Sequence, residues 1–328
     1  MSTRRVYDCL PEIQIGETGQ PEQPVNVFLV GNGINLPFDG AVKTDDIIRK
    51  IWRKYHHSNL PRRLDSIHSH PLWRLPFPME IVSASNNNLD IELQEFAQKL
   101  RDGSVDNEQR MLIQAALDLN FDAILSTNYS LEFEKSVMGN CAVQRIYSQY
   151  RTTAKQSEQQ KRLGIYQYTE LPYGNKPSLW HIHGTALRKN SLVMGHLSYG
   201  KLVGEIDQRA SRANRGIHYA KANRTPFYPM SWIDYFLIGN VYIVGFALDF
   251  AESDIWWLIS LKKRINPDSK VFFFQPYIEE AMKLMLDSYG VECPFVEFDE
   301  SNNPSLDYMK YYRAVFEYCK RRMTDGNF

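Results

Sequence analysis

Apolar positions along this chain switch between two periods, and each switch marks an element. Val25-Asn26-Val27-Phe28-Leu29-Val30 is a short β-rich run that ends directly in a glycine turn. Asp45 to Tyr55 has helical spacing, with Thr44 or Asp45 placed to cap its start. His56 to Pro78 holds four prolines among His and Arg residues and reads as irregular. Leu89 to Leu100 and Glu108 to Leu119 return to the helical period, so residues 57–118 predict a largely helical insertion. Phe121 to Ser126 is the next buried strand, and it turns at Thr127-Asn128-Tyr129 into a helix from Leu131 to Val137. Residues 151–162 are polar and predict an exposed loop; Ser178 to Ile182 is a short strand.

The last third alternates. Val241–Val244, Lys270–Phe274 and Val296–Phe298 read as strands, and Glu252–Arg264, Ile278–Tyr289 and Leu306–Lys320 as helices. Strand and helix in alternation make βαβ units and a parallel sheet covered on both faces. The expected fold is α/β, a Rossmann-like doubly wound parallel sheet with the mostly helical insertion. Residues 1–24, rich in Pro, Gly, Glu and Gln, form an N-terminal arm. Residues 25–300 form the main domain, and 301–328 a closing helix packed on it.

Composition narrows the function classes. The 328 residues carry 38 basic and 38 acidic side chains, a balance that argues against a coat for nucleic acid or anionic membrane. Cys9, Cys141, Cys293 and Cys319 are far apart and no Cys-x-x-Cys occurs, so a zinc ribbon is not expected. Free thiols and the absence of a signal-type start predict a cytoplasmic protein. The longest apolar stretch, Phe236 to Leu248, is broken by Gly239-Asn240 and is too short for a bilayer. The basic stretch from Arg209 to Arg224 reads as a solvated or mobile loop, although it could grip phosphates or an acidic partner.

Four short segments follow apolar runs, where a parallel sheet binds ligands. In Gly31-Asn32-Gly33-Ile34-Asn35, glycine serves either a tight strand-to-helix turn or the close approach of backbone to a phosphate. In Ser126-Thr127-Asn128-Tyr129, Asn128 either tolerates a turn or presents its amide to a ligand. His181-Ile182-His183-Gly184 holds two histidines that would share one side of a strand, and no further residues at metal-ligand spacing accompany them. Gly245-Phe246-Ala247-Leu248-Asp249 leads into Glu252-Ser253-Asp254-Ile255, whose acids suit the start of a helix.

In this order the four segments resemble the sirtuin family, in particular its prokaryotic Sir2-like branch that hydrolyses NAD. The first segment is similar to the family's Gly-Ala-Gly-Ile-Ser, the second to Thr-Asn-Tyr-Asp, the third to His-Gly. The fourth is similar to Gly-Phe-Ser-x-x-Asp followed by Asp-x-Asp-Ile. Ser130 stands where the family has Asp, and Ala247 replaces a hydroxyl-bearing residue. The resemblance implies Asn128 and His183 as the catalytic residues. It implies Gly31, Asn32, Gly33, Ile34, Asn35, Thr127, Tyr129, Gly245, Phe246 and Asp249 as the residues that hold NAD, with no metal. The implied reaction is hydrolysis of NAD, the substrate, to nicotinamide and ADP-ribose. Protein deacylation in the same cleft is the enzyme alternative, less favoured because the four-cysteine zinc module is lacking, and a non-catalytic nucleotide-binding sensor or scaffold is the other. The resemblance further implies a gated effector of bacterial antiphage defence. It would be held in check by homo-oligomerisation or by a separate partner such as an ATPase or an Argonaute-like protein. No membrane association and no direct nucleic-acid binding are expected.

Overall fold

The computed structural model describes residues 11–38, 89–140, 146, 151–152, 165, 167–248, 252–301 and 303–325. The helix expected at 45–55, the irregular stretch 56–78, Asp249 and most of 151–162 lie outside the described residues. The fold is α/β, with a mostly parallel sheet flanked by helices on both faces. In chain order the strands are β1 (Asn26–Val30), β2 (Ala123–Ser126), β3 (Arg151–Thr152), β4 (Gln167–Glu170), β5 (Ser178–His181), β6 (Asn240–Val244), β7 (Val271–Phe274) and β8 (Val291–Glu292). The helices are α1 (Leu89–Asp102), α2 (Asn107–Leu117), α3 (Glu132–Met138), α4 (His196–Asn223), α5 (Trp232–Ile238), α6 (Ser253–Ile265), α7 (Glu280–Ser288) and α8 (Pro304–Asp325).

The strands lie in the order β3-β4-β5-β2-β1-β6-β7-β8. From β5 to β8 every pairing is parallel, whereas β4 and β3 add an antiparallel edge beside β5. That edge is absent from the sequence-based expectation, because Gln167–Glu170 is polar enough to pass for a loop. Side chains alternate between two cores. Val27, Leu29, Leu125, Trp180 and Ile243 pack on one face with α4, α5 and α6. Phe28, Val30, Ile124, Leu179 and Tyr242 pack on the other with α2, α3 and α8. Burial on both faces is why these strands read as unbroken apolar runs. Each such side chain stabilises the fold by about 1.5–3 kcal/mol.

Two expectations are corrected. The basic stretch is not a loop; it is the second half of the 28-residue helix α4, whose Leu202, Ile206, Ala210, Ala213 and Ile217 form a helical stripe on the core. Arg209, next to that stripe, forms a part-buried ion pair with Asp234, the residue that completes the capping box at the start of α5. The last strand falls at Val291–Glu292 rather than Val296–Phe298. Gly290, at φ +76°, ends α7 and releases the chain straight into the sheet. Phe298 then packs its ring tilted against Tyr308 and edge-on against Tyr311 of α8 rather than pairing with a strand.

Two buried lysines tie helices together. Lys262 of α6 donates to the carbonyls of Phe236, Leu237 and Gly239, capping the end of α5. Lys135 of α3 does the same for α1 through Leu100, Arg101 and Gly103. The last carbonyls of a helix have no partner within it, and a cation there also meets the negative end of the helix dipole. Burial lowers the pKa of both amines, that of Lys262 well below its ordinary value.

Candidate functional site

The sheet register brings the four segments side by side. Val30 stands level with Ser126 on one side and Val244 on the other, and Ser126 with His181. Strands β5, β2, β1 and β6 are consecutive neighbours, so their carboxyl ends line up across roughly 15 Å at about 4.8 Å per strand. The chain leaves β1 towards β2 and β5, then returns to β6 on its other side. Such a reversal opens a crevice above the strand ends, where open α/β sheets take their ligands.

Loop packs on loop at the centre of this row. Gly31 N–H donates to Val244 O at 3.0 Å, and Gly33 N–H to Gly245 O at 2.6 Å. A Cβ at Gly31 would lie 2.5 Å from Gly245 O, and one at Gly33 2.6 Å from the same atom. Gly245 itself has φ +64°, a conformation that suits glycine. The fold therefore requires all three glycines with or without a ligand. Residues 32–35 form a single 3₁₀ turn. Within it Asn35 donates to Asn32 Oδ1 at 3.0 Å and accepts from Gln109 of α2 at 2.8 Å, while Ile34 is core. Phe246 belongs to the opposite core, and Leu248 holds a left-handed φ of +50°, strained for a branched side chain.

The segment after β2 is clamped from both sides. Thr127 N–H donates to Val30 O at 3.0 Å. The Asn128 N–H donates to Ser126 Oγ at 3.1 Å, and its side-chain Nδ2 to Glu132 Oε1 at 2.5 Å. Ser130 Oγ donates to the second oxygen of Glu132, also at 2.5 Å. Tyr129 reaches across to Val193 O, 2.9 Å away, and packs edge-on against Phe96 of α1. Its carbonyl accepts from Ala186, and His183 O accepts from Val193, so the second and third segments are sewn together. Asn128 Oδ1 has no hydrogen-bond partner among the described residues.

The two histidines part company. Strand β5 stops at His181, and Ile182-His183 turns into Gly184 at φ +91°, so they do not share one side of a strand as expected. His181 is buried, with Nδ1 donating to the Asn128 carbonyl at 3.0 Å and Nε2 on Glu134 Oε1 at 2.9 Å. His183 is equally buried, with Nε2 on Asp254 Oδ2 of α6 at 2.8 Å and Glu252 Oε2 at 3.9 Å. The Tyr199 ring of α4 stands edge-on to it, and Nδ1 has no partner among the described residues. Burial pushes both pKa values down, but the carboxylate beside each ring outweighs it and both end above the ordinary 6.5. Burial chiefly, and the Glu252 and Asp254 charges after it, raise the hydroxyl pKa of Tyr129 and Tyr199.

Beside the first and second segments lies a shallow cleft lined among others by Asn32, Asn35, Gln109, Ser130 and Glu132; Asn128 and His183 do not line it. His183, Glu252 and Asp254 offer ligand atoms within 4.8 Å of one another. Together they could hold a metal ion, though the Nε2–Oδ2 hydrogen bond would have to be given up.

Asn128 and His183 thus sit on neighbouring, hydrogen-bonded turns, with Gly31, Asn32, Gly33, Ile34, Asn35, Thr127, Tyr129, Gly245 and Phe246 on the same row of strand ends. Glu132, Glu134 and Tyr199 belong to none of the four segments, and Asp254 lies in the helix-start motif that follows the fourth. For Glu132 and Glu134 the signal was present in the alternation Leu131-Glu132-Phe133-Glu134, where acids lie between core residues. A scan of known protein-family models finds no match to this chain, and no curated protein matches it either.

Proposed function

We propose that the chain is an NAD glycohydrolase, cleaving the bond between nicotinamide and ribose to give nicotinamide and ADP-ribose. One observation carries this reading: the buried His183–Asp254 pair and the clamped Asn128 stand on adjacent turns at the switch point of the sheet, each with one polar atom unpartnered among the described residues. Nicotinamide leaves as a neutral molecule from a cationic precursor, so the bond needs positioning and electrostatic stabilisation more than strong acid. Asn128 Oδ1 is an acceptor for a ribose hydroxyl or a water. Asp254 holds His183 with Nε2–H towards itself, leaving Nδ1 as the lone pair that accepts a proton from the attacking water. In this reading the activity is a defence effector gated by self-association or a separate partner.

The test is NAD consumption by the purified protein, with nicotinamide, ADP-ribose and cyclic products separated, for wild type beside Asn128→Ala and His183→Ala. Turnover by wild type and its loss in both variants is expected. Wild-type turnover unaltered by either substitution would remove the site, and tight NAD binding without products would favour a nucleotide-binding sensor.

A further inference from the structure

We propose that Glu132 is a positioning residue that decides which end of the Asn128 amide is presented to substrate, making Asn128 a hydrogen-bond acceptor. The inference rests on the NADase reading for its kinetic arm only. A carboxylate accepts hydrogen bonds and cannot donate them, so the end of the amide that meets it is Nδ2. Glu132 is placed to do this firmly. Its side chain is buried at 3% exposure, and both of its oxygens are engaged, Oε1 by Asn128 and Oε2 by Ser130, each at 2.5 Å. Its position at the start of α3 fixes the backbone from which it reaches back to Asn128. The Asn128 main chain is held independently, at its N–H by Ser126 Oγ and at its carbonyl by His181. The remaining freedom of this residue is rotation of the amide, and the bond to Glu132, itself steadied by Ser130, removes it. Oδ1 is left as the only end of the side chain without a partner among the described residues. Glu132 also borders a cleft beside Asn32 and Asn35, which Asn128 itself does not line.

Exchange of charge between the two residues tests this. Asn128→Asp sets carboxylate against carboxylate and is expected to lower kcat about 100-fold or more. Adding Glu132→Gln to that variant turns a donor towards the new carboxylate, leaves an acceptor facing substrate, and is expected to recover at least about tenfold. Alone, Glu132→Gln can still accept from Nδ2 and is expected to lose about tenfold less than Glu132→Ala, whose loss falls on kcat rather than KM. Variants with wild-type unfolding midpoints in which the double substitution is no better than Asn128→Asp would overturn the proposal. A second readout does not depend on turnover. The side-chain amide signals of Asn128, assigned by their absence in Asn128→Asp, should show slowed proton exchange that Glu132→Ala abolishes and Glu132→Gln keeps. Identical exchange in wild type and Glu132→Ala would overturn the proposal as well. Wild type without NAD turnover would leave a gated enzyme lacking its partner or a non-catalytic nucleotide binder, and the amide measurement would then decide the role of Glu132 by itself.

Discussion

His181 and His183 are two residues apart, both buried, both beside a carboxylate that raises the pKa, yet they are built for different work. His181 uses both ring nitrogens inside the protein, one on the Asn128 carbonyl and one on Glu134. His183 uses one, on Asp254, and keeps the other. Burial and pKa direction do not separate a structural histidine from a chemical one; the count of satisfied nitrogens does. A ring with both ends tied is a brace between α3 and the turn after β2. A ring with one end tied is held in one orientation, and under the proposed function its other nitrogen would serve as the base.

Substitutions that spare one bond at a time break the comparison most sharply. His183→Gln can keep a donor to Asp254 while removing the titrating nitrogen. It is expected to lower kcat by about 10²–10⁴ with little change in the urea midpoint. Full turnover in this variant would make His183 structural, like its neighbour. His181→Ala is expected to do the reverse. It strands Glu134, whose Oε2 already lacks a partner among the described residues, and should cost about 3–5 kcal/mol in urea unfolding. An unchanged midpoint would mean that the brace bears no load.

Smaller effects sharpen the contrast through pH. A neutral His183 is needed for a base, so kcat/KM should rise with pH along a limb that lies above 6.5. The groups facing the ring are Asp254 and Glu252 from α6 and its N-cap, and Tyr199 from α4. Asp254→Asn keeps an acceptor but removes the charge, and should move the limb to lower pH. A limb that stays in place would assign it to another group. The smallest expected effect is on stability. The folded pKa of His181 is raised, so its contribution is fully present below 6.5 and is lost as pH rises through the folded value. Measured in His183→Gln protein, the fall in stability above pH 6.5 should flatten when His181→Gln is added. An unaltered slope would show that His181 does not titrate in that range.

The fold was legible where burial is two-sided. Val25–Val30, Phe121–Ser126 and Val241–Val244 announced themselves because both faces of the sheet are covered, and the register of β1 with β2 and β6 places their ends level. Helix α4 was hidden because its exposed face carries the Arg and Lys residues that suggested a loop, while its core stripe includes small alanines. The glycines of the first and fourth segments were legible as special, but two reasons for glycine exist, and only the folded structure shows that loop-on-loop contact accounts for them. Ser130 looked like a loss against the expected Asp. The chain supplies a carboxylate nearby through Glu132, two residues on, to which Ser130 donates. No periodicity in sequence reports a contact of that kind, because it depends on the turn between Asn128 and α3.

The row of strand ends has a consequence for how the protein is made. Its parts are strung from Gly31 to Gly245, and β1 waits for β6 to cover its second edge. A chain emerging from a ribosome holds the turn after β1 early, yet the loop that Gly33 bonds to is translated only after β5 and α4. Long-range pairings of this kind form late in folding. No nascent fragment that stops short of β6 can assemble the site, so synthesis itself delays any activity until nearly the whole sheet exists.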